Sequence, residues 1–271
     1  MDRNWPIQAF ILEAGDLARF TGRFFREVFR PRYEWEELLR QAFVNGYRSL
    51  PLVAITAFIM GLVLTVQSRP TLERFGAESM LPAMVAISVV REIGPVITAL
   101  ICAGKIGSSM GAELGSMKVT EQIDAMEVSG TNPFKLLVVT RVVSTTLMVP
   151  VLVVLADAIA IWASYIGVNF KDTVSWPLFH RQVFDSLVFS DFLPAFFKSF
   201  FFGFAIGIVG CYKGFTTKKG TEGVGQASHS AVVVASLLIF ILDLIAVQVI
   251  QCRSWFIGKN QFGLVDYRSG D

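Results

Sequence analysis

Apolar residues gather in five long runs, and short polar segments separate the runs. The runs cover residues 49–67, 81–104, 136–168, 192–212 and 230–251. Each is close to or above the roughly 20 residues that a helix needs to cross a bilayer. The third run is the longest and is expected to tilt or to project from the membrane. The pattern predicts an all-α integral membrane protein with five transmembrane helices.

The chain before the first run has a different pattern. Between residues 7 and 29, apolar residues recur at steps of three and four, and arginines and acids occupy much of the rest. This spacing predicts an amphipathic helix that lies in the membrane interface. A helix packed on a protein partner is the alternative. A second short helix, 33–43, is expected after Pro31. The predicted organisation is interfacial helices over 1–45, a five-span membrane domain over 46–252 and a polar tail over 253–271.

A polar segment, 113–133, lies between the second and third runs. We expect a short helix over 120–128, with Thr120 as its N-cap and Ser129–Gly130 as its stop. A helix this short is unstable alone in water and must dock on something. Its apolar residues are Ile123 and Met126, and its acids are Glu121, Asp124 and Glu127. The acids favour docking on a protein over resting on an anionic membrane surface.

Composition supports a membrane protein and excludes some functions. Charged residues make up 17% of the chain, whereas about 25% is usual for soluble domains. The net charge of +2 is too small to indicate a nucleic-acid partner. The three cysteines, Cys102, Cys211 and Cys252, are scattered and do not form the spacing of a disulfide framework or a zinc site.

The positive-inside rule predicts the orientation of the five spans. With the N-terminus in the cytoplasm, the cytoplasmic segments hold 15 lysines and arginines and the outer segments hold 7. The bias predicts a cytoplasmic N-terminus and a C-terminus on the outer side of the membrane. The segment 113–133 would then face the cytoplasm.

Small residues recur every four positions in two of the spans. Gly107, Gly111 and Gly115 follow one another near the end of the second span, and Gly203 and Gly207 lie in the fourth. This spacing lets helix backbones approach closely. It does not tell which helices meet.

Four of the charged residues inside the predicted spans are candidates for a functional role: Arg91, Glu92, Asp157 and Asp243. Each costs roughly 2.5 to 3.5 kcal/mol at the centre of a membrane helix. They could pair with one another, for example Arg91 with Asp157 or with Asp243. They could instead line a cavity that holds a polar lipid headgroup, and both interpretations can apply together.

The chain has no nucleotide site of its own. The segment 104–109, GKIGSS, lacks the leading glycine of a P-loop, and the residue after Lys105 is Ile rather than Ser or Thr. We find no catalytic residues and no metal-binding cluster in the sequence. No cofactor is therefore expected in this chain, and any ATP and Mg²⁺ would bind to a partner subunit.

Residues 89–143 resemble the MlaE/YrbE permease family, the membrane subunits of MCE-type ABC transporters. The elements that carry the resemblance are REIGP, AGKIG, AELGSMKVTEQ and DAME with a following proline. The rest of the chain is similar to the family in its layout of one interfacial helix, five spans and a KKG loop before the last span.

The resemblance implies a function and a set of partners. It implies a permease dimer, most simply a homodimer, in the bacterial inner membrane. It also implies a cytoplasmic ABC ATPase dimer, a periplasmic MCE-domain assembly and a phospholipid or related hydrophobic lipid as substrate. The expected coupling residues are Glu121, Gln122, Ile123, Asp124, Met126 and Glu127, and the candidate lipid-pocket residues are Arg91 and Glu92.

Two other classes of function remain open at this stage. An ion-coupled secondary transporter could use Glu92, Asp157 and Asp243 as a relay. A membrane scaffold for a partner complex would not transport at all.

Overall fold

Eight helices make up the part of the chain that the computed structural model describes, namely residues 6–30, 34–171, 173–218 and 220–266, and no strand occurs there. We number them α1 (Pro6–Val28), α2 (Trp35–Arg74), α3 (Glu78–Val119), α4 (Gln122–Val128), α5 (Phe134–Val168), α6 (Trp176–Ser186), α7 (Phe189–Phe215) and α8 (Thr221–Asp266). Helices α2, α3, α5, α7 and α8 are long and apolar enough to cross a membrane. The predicted all-α fold with five spans is confirmed.

Two helices extend beyond their apolar runs, and one prediction, that of a separate helix over 33–43, is wrong. The separate helix expected over 33–43 is the beginning of α2, which continues without a break to Arg74. The polar tail expected from residue 253 is helical as far as Asp266, and 267–271 lie outside the described residues. Once a helix has formed, each added residue gains a hydrogen bond, so polarity alone does not end it.

The five long helices pack with α5 between α2 and α7, while α3 and α8 pack on α7. Glycines allow the closest approaches. A Cβ atom added at Gly61 would lie 2.1 Å from the carbonyl oxygen of Ala160, and one at Gly203 would lie 2.7 Å from that of Thr145. Any larger residue at these two positions would force α5 away from its neighbours.

Each end of the bundle carries one short helix, α4 at one end and α6 at the other. Helix α1 packs at the α4 end. Its Phe20 ring meets the Phe134 ring edge-on at a centroid distance of 5.0 Å, and Arg23 lies over the same ring at 4.3 Å. The Asn132 amide donates a hydrogen bond to the buried Glu27 carboxylate at 3.2 Å. One face of the amphipathic helix is therefore fixed on its own chain, while Phe29 is exposed.

Helix α8 has the least internal contact of the five spans, with 17% of its most apolar window buried. Its exposed apolar side chains include Val233, Leu237, Phe240, Ile241, Leu244, Ile245 and Val249. A surface this apolar needs lipid or another protein against it.

Candidate functional site

The second span is interrupted by two π turns. One covers Val89–Ile93 and the other Ala103–Gly107. The first overlaps the beginning of the REIGP element, and the second coincides with the AGKIG element. A π turn inserts an extra residue into a helix, rotates the residues that follow, and is often found at functional sites. The first π turn ends just before Gly94–Pro95.

Arg91, in the first π turn, forms a salt bridge with Asp191. Its Nε atom lies 2.8 Å from the Asp191 Oδ1 atom, and its Nη2 atom also donates to that oxygen. The Asp191 carboxylate is buried, and its other oxygen accepts a hydrogen bond from the Val188 N–H at the beginning of α7. The Arg91 side chain is 55% exposed. This pair ties α3 to the first turn of α7 and leaves the guanidinium accessible.

Lys198 joins three spans at one point. Its ammonium nitrogen lies 2.6 Å from the Glu92 Oε2 atom on α3 and 3.0 Å from the Asp243 Oδ1 atom on α8. The Lys198 side chain is 5% exposed, whereas that of Glu92 is 44% exposed. We call Arg91, Glu92, Asp191, Lys198 and Asp243 the charged cluster.

The pairing expected for Arg91 is wrong, because its partner is Asp191 rather than Asp157 or Asp243. Lys198 and Asp191 were missed from the sequence. A lysine in the run PAFFKSFFFGF was a usable signal, because a buried ammonium in a membrane span needs acidic partners. Asp191 gave no comparable signal, because it lies one residue before the predicted fourth span.

Asp157 lies apart from these ion pairs. It is buried, and its Oδ1 atom has no hydrogen-bond partner in the described part of the chain. The three acids proposed for an ion relay are therefore not equivalent. Glu92 and Asp243 both bind Lys198, whereas Asp157 packs against Gly94.

An apolar groove between α7 and α8 leads to Lys198. Its volume is about 360 Å³. Besides Lys198, its walls are formed by Pro194, Phe197, Phe201, Phe202, Leu242, Ile245, Ala246 and Val249. An apolar groove with one charged group in its wall suits an amphipathic ligand.

The short helix α4 begins at Gln122, and its N-cap is Glu121 rather than the predicted Thr120. Thr120 is not its N-cap, because the Thr120 hydroxyl donates to the Ser116 carbonyl oxygen at the end of α3. Glu121 precedes α4 in the left-handed region at φ 59°. This conformation costs a non-glycine residue roughly 1–2 kcal/mol. The chain changes direction there, which separates α4 from α3.

One side of α4 packs on the bundle and the other faces outward. Ile123 is buried and Met126 is partly buried against the core. Gln122, Asp124, Glu127 and Val128 are exposed on the other side. Lys118, in the last turn of α3, lies 2.7 Å from the Asp124 carboxylate. The helix therefore has a fixed inner face and an acidic outer face that carries one exposed apolar residue.

A buried arginine lies in the bundle near α4. The Arg141 side chain is 2% exposed, and its Nη2 atom lies 2.7 Å from the Glu113 Oε1 atom. Its Nη1 atom donates to the Leu137 carbonyl oxygen at 3.1 Å. The Arg141–Glu113 pair joins α3 to α5. These are the two helices that α4 connects in the sequence.

The glycines near the end of α3 face other spans. A Cβ atom at Gly111 would lie 3.1 Å from the Ala227 carbonyl oxygen on α8, and one at Gly107 would lie 3.6 Å from the Ile206 side chain on α7. The nearest atom to a Cβ at Gly115 would be the Thr217 hydroxyl, at 3.0 Å. In the fourth span, Gly207 packs in the same way on Val142 of α5.

Comparison with known proteins gives the family of this architecture. The family model described as Permease MlaE matches residues 38–249. The chain belongs to the MlaE permease family. The match includes every residue of the charged cluster and all of α4.

The alignments with several relatives cover most of each relative's length. A probable ABC transporter permease protein of Rickettsia typhi is 38% identical over 86% of this chain and 90% of its own. A similarly named protein of Synechocystis is 34% identical over 82% and 84%. The intermembrane phospholipid transport system permease protein MlaE of Haemophilus influenzae is 36% identical over 77% and 80%. These relatives are permease subunits, so the expectation of a transporter subunit rather than an enzyme is confirmed.

Proposed function

We propose that this chain is the membrane-spanning subunit of an ABC transporter that moves phospholipid or a related lipid between the inner membrane and a periplasmic MCE-domain protein. The observation that carries the proposal is the apolar groove between α7 and α8, which leads to the buried Lys198 ammonium. Acyl chains fit the apolar walls, and a headgroup phosphate would be attracted to the exposed Arg91 guanidinium. The name of the Haemophilus influenzae relative supports the choice of phospholipid.

The energy would come from a separate cytoplasmic ATPase dimer that binds ATP and Mg²⁺. The proposed docking site for the ATPase is the outer face of α4. This face is acidic and exposed, and the opposite face of the helix is packed on the bundle. Glu121, Gln122, Asp124 and Glu127 would contact the ATPase, while Ile123 and Met126 would transmit its movement to the bundle. This arrangement requires the α4 end to face the cytoplasm, as the excess of lysine and arginine indicates.

Two further partners belong to the proposal. A second copy of the chain would cover part of the apolar surface that α8 exposes, because a single five-span bundle leaves the groove and Arg91 open on one side. The periplasmic MCE protein would approach the opposite end, where α6 lies.

Charge reversal on α4 tests the coupling role. Glu121→Lys with Glu127→Lys should abolish lipid-stimulated ATP hydrolysis, because two repulsive charges would face the ATPase. The matched control is Glu34→Lys with Glu36→Lys, which reverses two exposed acids at the N-terminal end of α2, outside the proposed contacts. Full coupled activity in the α4 variant would contradict the proposal.

Lipid identification tests the substrate. Mass spectrometry of lipid bound to the purified complex should find phospholipid in wild type and less of it in Phe201→Arg, which places a charge in the groove. Transport in proteoliposomes driven by a pH gradient without any ATPase would instead favour the ion-coupled alternative. A complex that binds no lipid would favour the scaffold.

A further inference from the structure

Asp157 on α5 and Gly94 on α3 are in direct contact inside the bundle. A Cβ atom added at Gly94 would lie 1.9 Å from the Asp157 Oδ1 atom. The hydrogen that glycine carries in that direction therefore points at the carboxyl oxygen. This oxygen is fully buried and has no hydrogen-bond partner among the described residues. The carboxyl fits there only because residue 94 has no side chain.

Gly94 also closes the first π turn. Its backbone N–H donates to the carbonyl oxygen of Val89, five residues earlier, which is the bond that defines a π turn. Asp157 thus contacts the residue that ends the π turn. In the described structure it makes no hydrogen bond to Arg91 or Glu92.

The π turn determines where two neighbouring side chains can reach. Consecutive residues on a regular helix point about 100° apart. Arg91 nevertheless reaches Asp191 and Glu92 reaches Lys198, both on α7. A change in the helical register at Gly94 would rotate this segment and separate at least one pair.

We propose that Asp157 is a positioning residue that packs on Gly94 and holds the π turn in the register in which Arg91 and Glu92 meet α7. The importance of this register for transport rests on the proposed lipid-handling role of the charged cluster. Glu92 and Asp243 engage the Lys198 ammonium directly, so Asp157 acts through packing on Gly94 rather than as a third partner of Lys198.

Complementary substitutions in the assembled complex test the contact. Gly94→Ala places a methyl group on the carboxyl, whereas Gly94→Ala with Asp157→Gly lets the methyl group enter the space that the carboxyl leaves. Hydrogen exchange of the peptide 85–100 in lipid nanodiscs reports the π turn without requiring transport. We expect exchange to be roughly tenfold faster in Gly94→Ala and largely restored in the double variant, as for a directly coupled pair. Restoration should be incomplete, because the methyl group also approaches the Val89 carbonyl oxygen at 2.8 Å.

Two further variants separate positioning from general destabilisation. Asp157→Asn keeps the shape of the side chain and should retain wild-type exchange, whereas Asp157→Gly alone should lose protection over 89–94. Gly104→Ala is the control. Gly104 lies in the same helix as Gly94, and a Cβ atom there would meet nothing within 4 Å. Normal exchange in Asp157→Gly alone, or exchange as fast in Asp157→Asn as in Asp157→Gly, would overturn the proposal.

The same variants distinguish this proposal from the proposed function. If protection from exchange is lost and restored as expected, the Asp157–Gly94 contact is supported, whatever the result for lipid transfer. Lipid transfer that follows the exchange pattern links the π turn to transport. Unchanged lipid transfer in every variant would instead count against the role of the charged cluster.

Discussion

The Lys118 ammonium lies 2.7 Å from the Asp124 carboxylate and so joins the last turn of α3 to the first turn of α4. The two residues flank the change of chain direction at Glu121. Both side chains are partly exposed, so the pair contributes only about 0–1 kcal/mol to the free energy of unfolding. Its effect is on the angle between the two helices rather than on stability.

Breaking this pair should therefore impair coupling without unfolding the protein. Lys118→Asp should reduce lipid-stimulated ATP hydrolysis several-fold and shift the thermal midpoint by little. Lys118→Asp with Asp124→Lys should recover part of the activity, because the exchanged charges can pair across the same turn. Activity in the exchanged variant as low as in the single variant would show that Lys118 acts independently of Asp124.

The left-handed conformation of Glu121 predicts an unusual response to substitution. Glu121→Gly should leave the free energy of unfolding unchanged or slightly higher, because glycine adopts φ 59° without steric cost. Glu121→Val should lower it by roughly 1–2 kcal/mol, because a β-branched side chain clashes in this region. Thermal unfolding in detergent measures the difference. Similar midpoints for the two variants would contradict the expectation.

Loss of the Lys198 ammonium should be severe. Lys198→Met keeps the length of the side chain but leaves Glu92 and Asp243 facing each other without a cation. Removing one partner of a buried ion pair typically costs about 3–5 kcal/mol. A lower thermal midpoint and loss of copurified lipid are expected, with partial recovery in Lys198→Met combined with Glu92→Gln and Asp243→Asn. Lys198→Met with a normal midpoint would show that the two acids do not depend on this cation.

Gly203 should tolerate no added methyl group. In Gly203→Ala the Cβ atom would meet the Thr145 carbonyl oxygen at 2.7 Å and the Thr146 Cα atom at 2.9 Å, both backbone atoms of α5. We expect a loss of about 1–3 kcal/mol, the usual cost of overpacking. Gly225→Ala is the matched control, because a Cβ atom there meets nothing within 4 Å. It should be neutral or stabilising, since alanine favours a helix.

The number and order of the spans could be predicted from the sequence because the lipid phase imposes a minimum apolar length. Helix ends were harder, because α2 and α8 continue into polar sequence where no local signal stops them. The first residue of α4 was also missed. Thr120 has the side chain of an N-cap, but its hydroxyl bonds back to Ser116 and the turn is made at Glu121.

The charged cluster was only partly predictable for a similar reason. A charge inside a span must have a partner, and this argument singled out Arg91, Glu92 and Asp243 from the sequence. Which charges meet depends on the rotation of each helix, and the π turn at Val89–Ile93 changes that rotation. Hydrophobic periodicity assumes a constant helical pitch and cannot register one extra residue.

The exposed Arg91 guanidinium also bears on how much of this protein a cell can keep. In a lone protomer this side chain is 55% exposed, although Asp191 neutralises part of its charge. An arginine at the centre of a membrane helix raises the insertion free energy by roughly 2.5 to 3.5 kcal/mol, and the cost is lower but still unfavourable for one that pairs at the first turn of α7. Copies made in excess of their partners would therefore be less stable in the membrane than assembled copies, and proteases would degrade them first. The supply of partners would then limit the amount of protein that is retained.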